Sequence, residues 1–436
     1  MNVRLKAYEL FKAIVRDGGY SNLVLANGLS QDIYVTDRGF ITALVYGAID
    51  KLYNIDYVIS LFAKGRLQPR VQDVLRLSVY QLMYMDVADY TVCDEAVKLI
   101  SAVGKGALKG YVNGVLRNIL RNRNNIHYPD KKSQPIKYIS CYYSIPEFLA
   151  QEMLEKYSIE ETEEMLSYSI ATETAIKANT IKCTNETLVQ LLSERKIDSR
   201  QGVIFDDVHY IKGNRLIKDE LYKKGYFVIQ SEPSVLICKA LGAQKGERIL
   251  DCCAAPGGKS IQIAQMIGSG SVVACDLHQH RCDLIRSNAE RCGVDDIVTA
   301  RCMDATIYKS ELGLFDRVLV DAPCSGLGVV STKPDIKLKI TKEKICDIEQ
   351  TQEAIIENCS KYVKSGGVLL YSTCTVREEE NAIQALNFLE NHQDFYIEPI
   401  DVPQNISDAV DTNGFVQLMP HKHGVYGFFI AKFRRK

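Results

Sequence analysis

From about Arg248 onward, short apolar runs alternate with amphipathic stretches at an interval that predicts a parallel, doubly wound sheet. The strand candidates are 248–251, 271–276, 298–301, 316–321 and 367–372; the helix candidates are 259–266, 281–292 and 345–362. Ligands of such sheets bind in the crevice beyond the carboxyl ends of the strands, so the residues there carry the most information. The first strand candidate runs into Leu250-Asp251-Cys252-Cys253-Ala254-Ala255-Pro256-Gly257-Gly258-Lys259, and a helix follows. Small residues let the backbone approach a ligand, and a helix N-terminus offers free N–H groups. Asp276 ends the second strand candidate, Asp304 lies near the end of the third, and Asp321 ends the fourth. A single strand-end aspartate is more often a turn or helix cap; three in register with a glycine loop point to a ligand. Neither G-x-G-x-x-G nor G-x-x-x-x-G-K-[ST] occurs, which disfavours those phosphate sites. Acid-lined strand ends suit a cationic nucleoside, and S-adenosylmethionine is one.

Two further constellations face the same crevice. Asp321-Ala322-Pro323-Cys324-Ser325-Gly326 and Tyr371-Ser372-Thr373-Cys374-Thr375 each place a cysteine just past a strand end. Most of the 14 cysteines are expected to be inert buried thiols. Two at strand ends beside the expected adenosylmethionine site call for thiol-dependent methyl transfer. Cytosine C5 is a poor nucleophile; a thiolate adding to C6 makes it enamine-like, and a second group assisting release would explain the second thiol. There is no C-x-x-C, so no zinc site is expected. This thiol content with no regular framework fits a reducing cytoplasm, and no apolar run is long enough to span a bilayer.

The rest of the chain differs in character. Residues 1–128 carry apolar side chains at helical spacing, as in Ala7, Leu10, Phe11 and Ile14, or Val74, Leu77 and Leu82. This stretch has 16 Lys/Arg and 11 Asp/Glu, a net of +5, so the net −1 of the whole chain leaves −6 for the remainder. From Ala96 to Tyr128 there is no acid, while Lys98, Lys105, Lys109, Arg117, Arg121 and Arg123 occur among Tyr111, Asn113 and Asn118. Lys105, Lys109, Arg117 and Arg121 are the candidate phosphate-tracking cations, although a solvated helix face would have a similar footprint. Residues 129–140 read as a linker and 145–169 as a helix opening at Pro146. A small α/β module follows, with strands at 175–180, 209–211 and 226–230 and a helix at 186–195.

These residues resemble the motifs of the RNA 5-methylcytosine methyltransferases, through 253–259, 321–326 and 372–375. Asp276 and Asp304 fall where that family's other cofactor-contacting acids fall, and Glu380-Asn381, Ser365-Gly366-Gly367 and Gly427-Phe428-Phe429 also fit its pattern. Leu75-Arg76-Leu77-Ser78-Val79-Tyr80-Gln81-Leu82, Asp94-Glu95-Ala96-Val97 and Val112-Asn113-Gly114-Val115-Leu116-Arg117 resemble the helical RNA-binding domain of the antitermination factor NusB. The combination is similar to the bacterial branch that acts on 16S ribosomal RNA. It implies three parts: an all-α NusB-like domain over 1–135, a helical linker with a small ferredoxin- or RRM-like module over 136–235, and a Rossmann-like methyltransferase domain over 236–436.

The resemblance also implies roles. Cys374 would be the nucleophile and Cys324 would assist release; Asp321 would bond the cytosine edge and Lys259 would orient acids and base. Cys253, Ala254, Ala255, Pro256, Gly257, Gly258, Lys259, Asp276, Asp304 and Asp321 would hold S-adenosylmethionine. The partner would be 16S rRNA, naked or in a partly assembled small subunit, met by a cytoplasmic monomer with no membrane attachment. Alternatives are a non-catalytic RNA-binding assembly or antitermination factor, and the same chemistry on tRNA or 23S rRNA. Departures are Cys252 for the usual alanine, Phe148 and Leu338 where members often carry Trp, Ser331-Thr332-Lys333-Pro334 without a basic pair, and Val425-Tyr426 in place of an acid.

Overall fold

The computed structural model describes residues 2–29, 33–168, 173–212 and 216–436. Its contacts divide the chain into two compact units, Met1–Ser169 with Val330–Ile340, and Ile170–Val329 with Thr341–Lys436.

The first unit is helical throughout its described residues. Its helices are α1 (Val3–Val15), α2 (Ser21–Gly28), α3 (Val35–Asp50), α4 (Leu52–Phe62), α5 (Pro69–Tyr84), α6 (Asp89–Ala102), α7 (Lys109–Asn122), α8 (Pro135–Tyr143), α9 (Glu147–Lys156) and α10 (Ile159–Ser167). The helical spacing read from the sequence is what buries Ala7, Leu10, Phe11 and Ile14 in the core with Leu44, Ala48, Val74 and Leu77. The Asn2 side chain caps α1 by accepting from the N–H groups of Arg4 and Leu5, both at 3.1 Å.

Two expectations are corrected here. The linker expected over 129–140 is in part helix, because Pro135 stands in the first turn of α8, where its missing N–H costs nothing. The helix expected over 145–169 is two: α9 stops before Ser158, whose side chain caps α10 through the Glu161 N–H at 3.1 Å. Residue 169 lies outside the described residues.

Three buried charged side chains of the first unit, Arg76, Asp335 and Lys337, are structural. Arg76 is buried and bridges Asp56 at 2.6 Å and Asp73 at 3.1 Å, so this motif cation serves the core. Residues 330–340 are tied into the unit by their own charges. Buried Asp335 accepts from the Ser21 N–H at 3.3 Å and hydroxyl at 2.5 Å at the N-terminus of α2. Buried Lys337 donates to the backbone carbonyl and carboxylate of Asp50, both at 2.7 Å, at the C-terminus of α3. An anion at one helix start and a cation at another helix end complement both dipoles. Leu338 packs against the helical core.

The second unit holds two sheets. The smaller is antiparallel in the order β2-β3-β1-β4, from β1 (Glu173–Ala178), β2 (Ser199–Gln201), β3 (Val208–Lys212) and β4 (Phe227–Ile229). The larger contains β5 (Arg248–Asp251), β6 (Ser271–Asp276), β7 (Val298–Cys302), β8 (Phe315–Asp321), β9 (Val363–Thr373), β10 (Phe395–Ile397), β11 (Val416–Leu418) and β12 (Phe428–Arg435). Its order is β10-β12-β9-β8-β5-β6-β7, with β11 beside β12. Strands β5 to β9 pair in parallel, and β10, β11 and β12 are antiparallel additions. The sheet is therefore mixed, where the sequence rhythm predicts a parallel one. Val272, Val273, Ala274 and Cys275 of β6 are all buried, the continuous apolar run of a strand covered on both faces. No helix among the described residues is long and apolar enough to cross a membrane.

Candidate active site

Strand β5 lies between β6 and β8, so the chain leaves it in one direction while β8 flanks it on the other. That reversal opens a crevice at the carboxyl ends of the strands. The loop after β5 is pinned by the Ala254 N–H, which donates to Cys275 O at 2.8 Å, and by the Gly257 N–H, which donates to Ala254 O at 2.7 Å. Cys253 and Ala255 are half-buried and Pro256 is exposed. Gly257 has φ +100°, left-handed backbone, and starts the helix Gly258–Ile267.

Asp251, which ends β5, is buried and accepts from the Ser260 hydroxyl at 2.6 Å. Burial pushes its carboxyl up to about 6, against the pull of Ser260 and Lys259. A carboxyl raised on folding costs the folded state nothing at low pH; the cost builds up as pH rises from about 4 and is complete above about 6. At neutral pH that cost is about 2–3 kcal/mol. Asp251→Asn, which keeps an oxygen acceptor for Ser260, is therefore expected to melt higher than wild type at pH 8. The gain should vanish as pH falls below about 4, and thermal melts across pH check this.

The Lys259 ammonium meets Asp321 Oδ2 at 2.6 Å, and the Ser372 hydroxyl donates to the other carboxylate oxygen at 2.8 Å. Burial opposes the charge on Lys259, but Asp321 outweighs it and holds its pKa above the ordinary value. Asp276 is buried at the end of β6, accepting from the His278 N–H at 3.2 Å, with Arg281 at 3.8 Å. Asp304 lies two residues past β7 and accepts from the Thr306 N–H at 2.9 Å and hydroxyl at 2.7 Å, an Asx turn. Cys252 is buried in the core beside the sheet, packed among Cys275 and Cys359, which gives it a packing role.

Strands β8 and β9 are parallel neighbours with Asp321 opposite Ser372. Cys324 and Cys374 follow their ends, and their Sγ atoms are 3.0 Å apart. The Cys374 N–H also donates to Cys324 Sγ at 3.2 Å. The hydrogen bond to Cys374, burial, and the charges of Cys374 and Glu380 all push the Cys324 thiol well above its ordinary pKa. The loop after Cys324 is closed by Gly328, whose N–H donates to Cys374 O at 3.0 Å and whose carbonyl accepts from Gly427 at 3.0 Å. A Cβ on Gly328 would meet Gly427 O at 2.0 Å, so the close approach requires glycine.

The sequence reading did not assign a role to the buried layer beneath these loops. Glu380 is fully buried, as is Gln352 on the helix Lys342–Ser360, and both bond the cysteine loops. A Glu378-Glu379-Glu380 run reads as surface charge, and no periodicity marks the one that turns inward. Only the Glu380-Asn381 pair of the family pattern pointed there. Asn381 donates to Thr375 O at 3.1 Å and accepts from the Thr373 hydroxyl at 2.5 Å.

In the first unit, α7 packs inward through Val112, Val115, Leu116 and Ile119. Lys109, Arg117 and Arg121 are exposed on it, and Lys105 is half-buried just before it. Arg117 and Asn113 line a groove of about 430 Å³ together with Asp89, Tyr90 and Asp94 of α6, so the rim is mixed in charge.

Residues 238–434 match the model described as 16S rRNA methyltransferase RsmB/F, and residues 1–121 match the NusB family. A Bacillus subtilis (strain 168) protein described as probable ribosomal RNA small subunit methyltransferase B is 33% identical, over 100% of this chain and 99% of its own length. An Escherichia coli (strain UMN026) ribosomal RNA small subunit methyltransferase B is 28% identical, over 95% of this chain and 97% of its own. Among solved structures, PH0851 superposes with TM-score 0.81 at 24% identity, covering 100% of this chain and 98% of that one. NSun6 from Pyrococcus horikoshii with SFG superposes with TM-score 0.61 at 23% identity, covering 66% and 98%. These two likenesses concern the fold.

Proposed function

The chain belongs to the family of 16S rRNA methyltransferases described as RsmB/F, and from that premise we propose that it methylates C5 of a cytosine in 16S rRNA through a covalent adduct on Cys374. The observation that carries this reading is the pair of sulfurs 3.0 Å apart at adjacent strand ends, one strand carrying Asp321 in its ion pair with Lys259.

The crevice suits S-adenosylmethionine as methyl donor. A Cβ on Gly258 would meet nothing within 4 Å, so the fold itself does not require glycine there and the space is free for a ligand. The carboxylate of Asp276 ends β6 where ribose hydroxyls are bound in such sheets. Cys253, Ala254, Ala255, Pro256, Gly257, Gly258 and Lys259 would line the loop, with Asp276, Asp304 and Asp321 on the acid side. When bound, the cofactor supplies a methyl group made electrophilic by its positively charged sulfur.

The chain's own residues do the rest. The target cytosine must be unpaired or flipped out to enter the crevice. Asp321 bonds its ring edge, and Lys259 orients that carboxylate. The Cys374 sulfur forms a bond to C6, pushing electron density to C5, which then takes the methyl group. Release passes the C5 proton to solvent water, restores the C5–C6 double bond and returns the S–C6 electron pair to Cys374. Cys324, held as a thiol, donates to that departing sulfur.

Bisulfite sequencing of 16S rRNA after incubation with the protein and S-adenosylmethionine tests the reaction. A protected cytosine is expected; methylation elsewhere on the base, or only on tRNA or 23S rRNA, overturns it. Running the assay on naked RNA and on partly assembled subunits identifies the substrate form. Lys105, Lys109, Arg117 and Arg121 are proposed to follow the RNA backbone. Reversing the charges of Lys105, Lys109 and Arg117 is expected to weaken RNA binding. It should also flatten the logarithmic salt dependence by about 2, at roughly 0.7 per phosphate contact on single strands. An unchanged salt slope in a binding titration removes these residues from the interface.

A further inference from the structure

We propose that Glu380 is a positioning residue that holds the two cysteine loops in register and decides which thiol attacks, by keeping negative charge off Cys324. The proposal rests on the covalent reading above and adds a residue to which that reading gives no task.

Glu380 has no exposed surface. Its carboxylate accepts from the Ser325 N–H at 2.7 Å, the residue after Cys324, and lies 3.4 Å from the hydroxyl of Thr375, the residue after Cys374. The Gln352 amide donates to the same carboxylate at 3.1 Å and to Pro323 O at 2.9 Å, so both neighbours of Cys324 are tied to one anchor. The Ser325 and Thr375 hydroxyls are 2.8 Å apart, closing the ring of contacts between the loops. Behind the anchor, the Tyr371 hydroxyl of β9 donates to Glu380 O at 2.7 Å.

A buried carboxylate is costly unless it is paired and hydrogen-bonded. Arg377 supplies the pairing at 3.4 Å while also bridging Glu349 at 2.7 Å. A neutral glutamine could accept from the Ser325 N–H and the Thr375 hydroxyl equally well. What glutamine lacks is the charge, and a second anion at Cys324, next in the chain to the Ser325 N–H that the carboxylate accepts from, would be opposed by that charge. The asymmetry is built into the loops, since the Glu380 carboxylate holds the residue after Cys324 at 2.7 Å and the residue after Cys374 only at 3.4 Å. Geometry and charge thus act on the same pair of sulfurs, fixing their spacing and leaving Cys374 as the one to ionise.

The test compares wild type, Glu380→Gln and Glu380→Ala as full-length chains. Trace iodoacetamide with peptide mapping reads thiolate character on the protein without RNA and separates these sites from exposed Cys302 and Cys346. In wild type, Cys374 should label at least about tenfold over Cys324, one pKa unit of difference. Glu380→Gln should narrow that ratio to about threefold or less while the fold is retained. Glu380→Ala should in addition slow diamide-driven formation of the Cys324–Cys374 disulfide, which reads their spacing. Both variants should lose kcat with the KM for RNA unchanged. A wild-type labelling ratio in Glu380→Gln overturns the charge role, and a wild-type cross-linking rate in Glu380→Ala overturns the spacing role. Labelling is read without substrate, so failure of the cytosine reaction in wild type is seen separately.

Discussion

Replacing Cys374 with alanine is expected to abolish methyl transfer while leaving cofactor binding intact. The proposed reaction has no path around the S–C6 bond, because C5 of an unactivated cytosine does not take a methyl group. Removing a covalent nucleophile is therefore expected to cost at least about 10⁴-fold in rate. The site should survive the change. The Cys374 N–H that donates to Cys324 Sγ and the carbonyl that accepts from Gly328 both belong to the main chain. The cofactor loop follows β5, whereas Cys374 follows β9, and β8 lies between those strands. Calorimetric titration with S-adenosylmethionine should give the wild-type affinity. A single-turnover assay with tritiated cofactor should show no transfer to RNA. Transfer within tenfold of wild type would show that Cys374 is not the nucleophile.

How much of this could be read from the sequence depended on the kind of interaction. Strands β5 and β6 stand where the apolar runs place them, because a strand covered on both faces must be apolar without interruption and an aspartate marks its exit. The strand-end rule brought Asp276, Asp321, Cys324 and Cys374 to the carboxyl ends of the sheet for the same reason, with Asp304 two residues past β7. Strand β9 begins at Val363, four residues before the 367–372 run, since Ser365-Gly366-Gly367 reads as a turn although the strand continues through it beside an irregularity opposite β8. The short strands β2, β10 and β11 were not seen, each having too few residues for alternation to show. Pro135 was read as a break and is a helix start. Residues 330–340 look like part of the second unit because their neighbours in sequence are. Their place in the first comes from Asp335 and Lys337 meeting helix ends some 300 residues away, a pairing no local window contains. The buried role of Glu380, marked only by the family pattern, was hidden for a related reason, since side-chain hydrogen bonds have no period.

Replacing Cys324 with alanine should have the opposite signature from Cys374→Ala: a covalent complex that forms and is not resolved. With Cys374 intact, attack at C6 and methylation at C5 proceed. Collapse of the adduct requires the S–C6 electron pair to return to a sulfur that leaves as an anion in a largely buried pocket. In the proposed reaction the Cys324 thiol, 3.0 Å away, donates to that sulfur as charge develops. Alanine removes the donor without removing the nucleophile, so release becomes slower than formation and the enzyme stays on its product. RNA bearing a 5-fluorocytosine at the target is the matching control, since it blocks loss of the C5 substituent and traps the adduct in wild type as well. A slow-migrating RNA–protein band on a denaturing gel is expected for Cys324→Ala with ordinary RNA, and none for the Cys324→Ala, Cys374→Ala double variant. The band's dependence on Cys374 is decisive, because it assigns attack and release to different sulfurs. A Cys324→Ala protein that turns over freely would leave the second thiol without a chemical task.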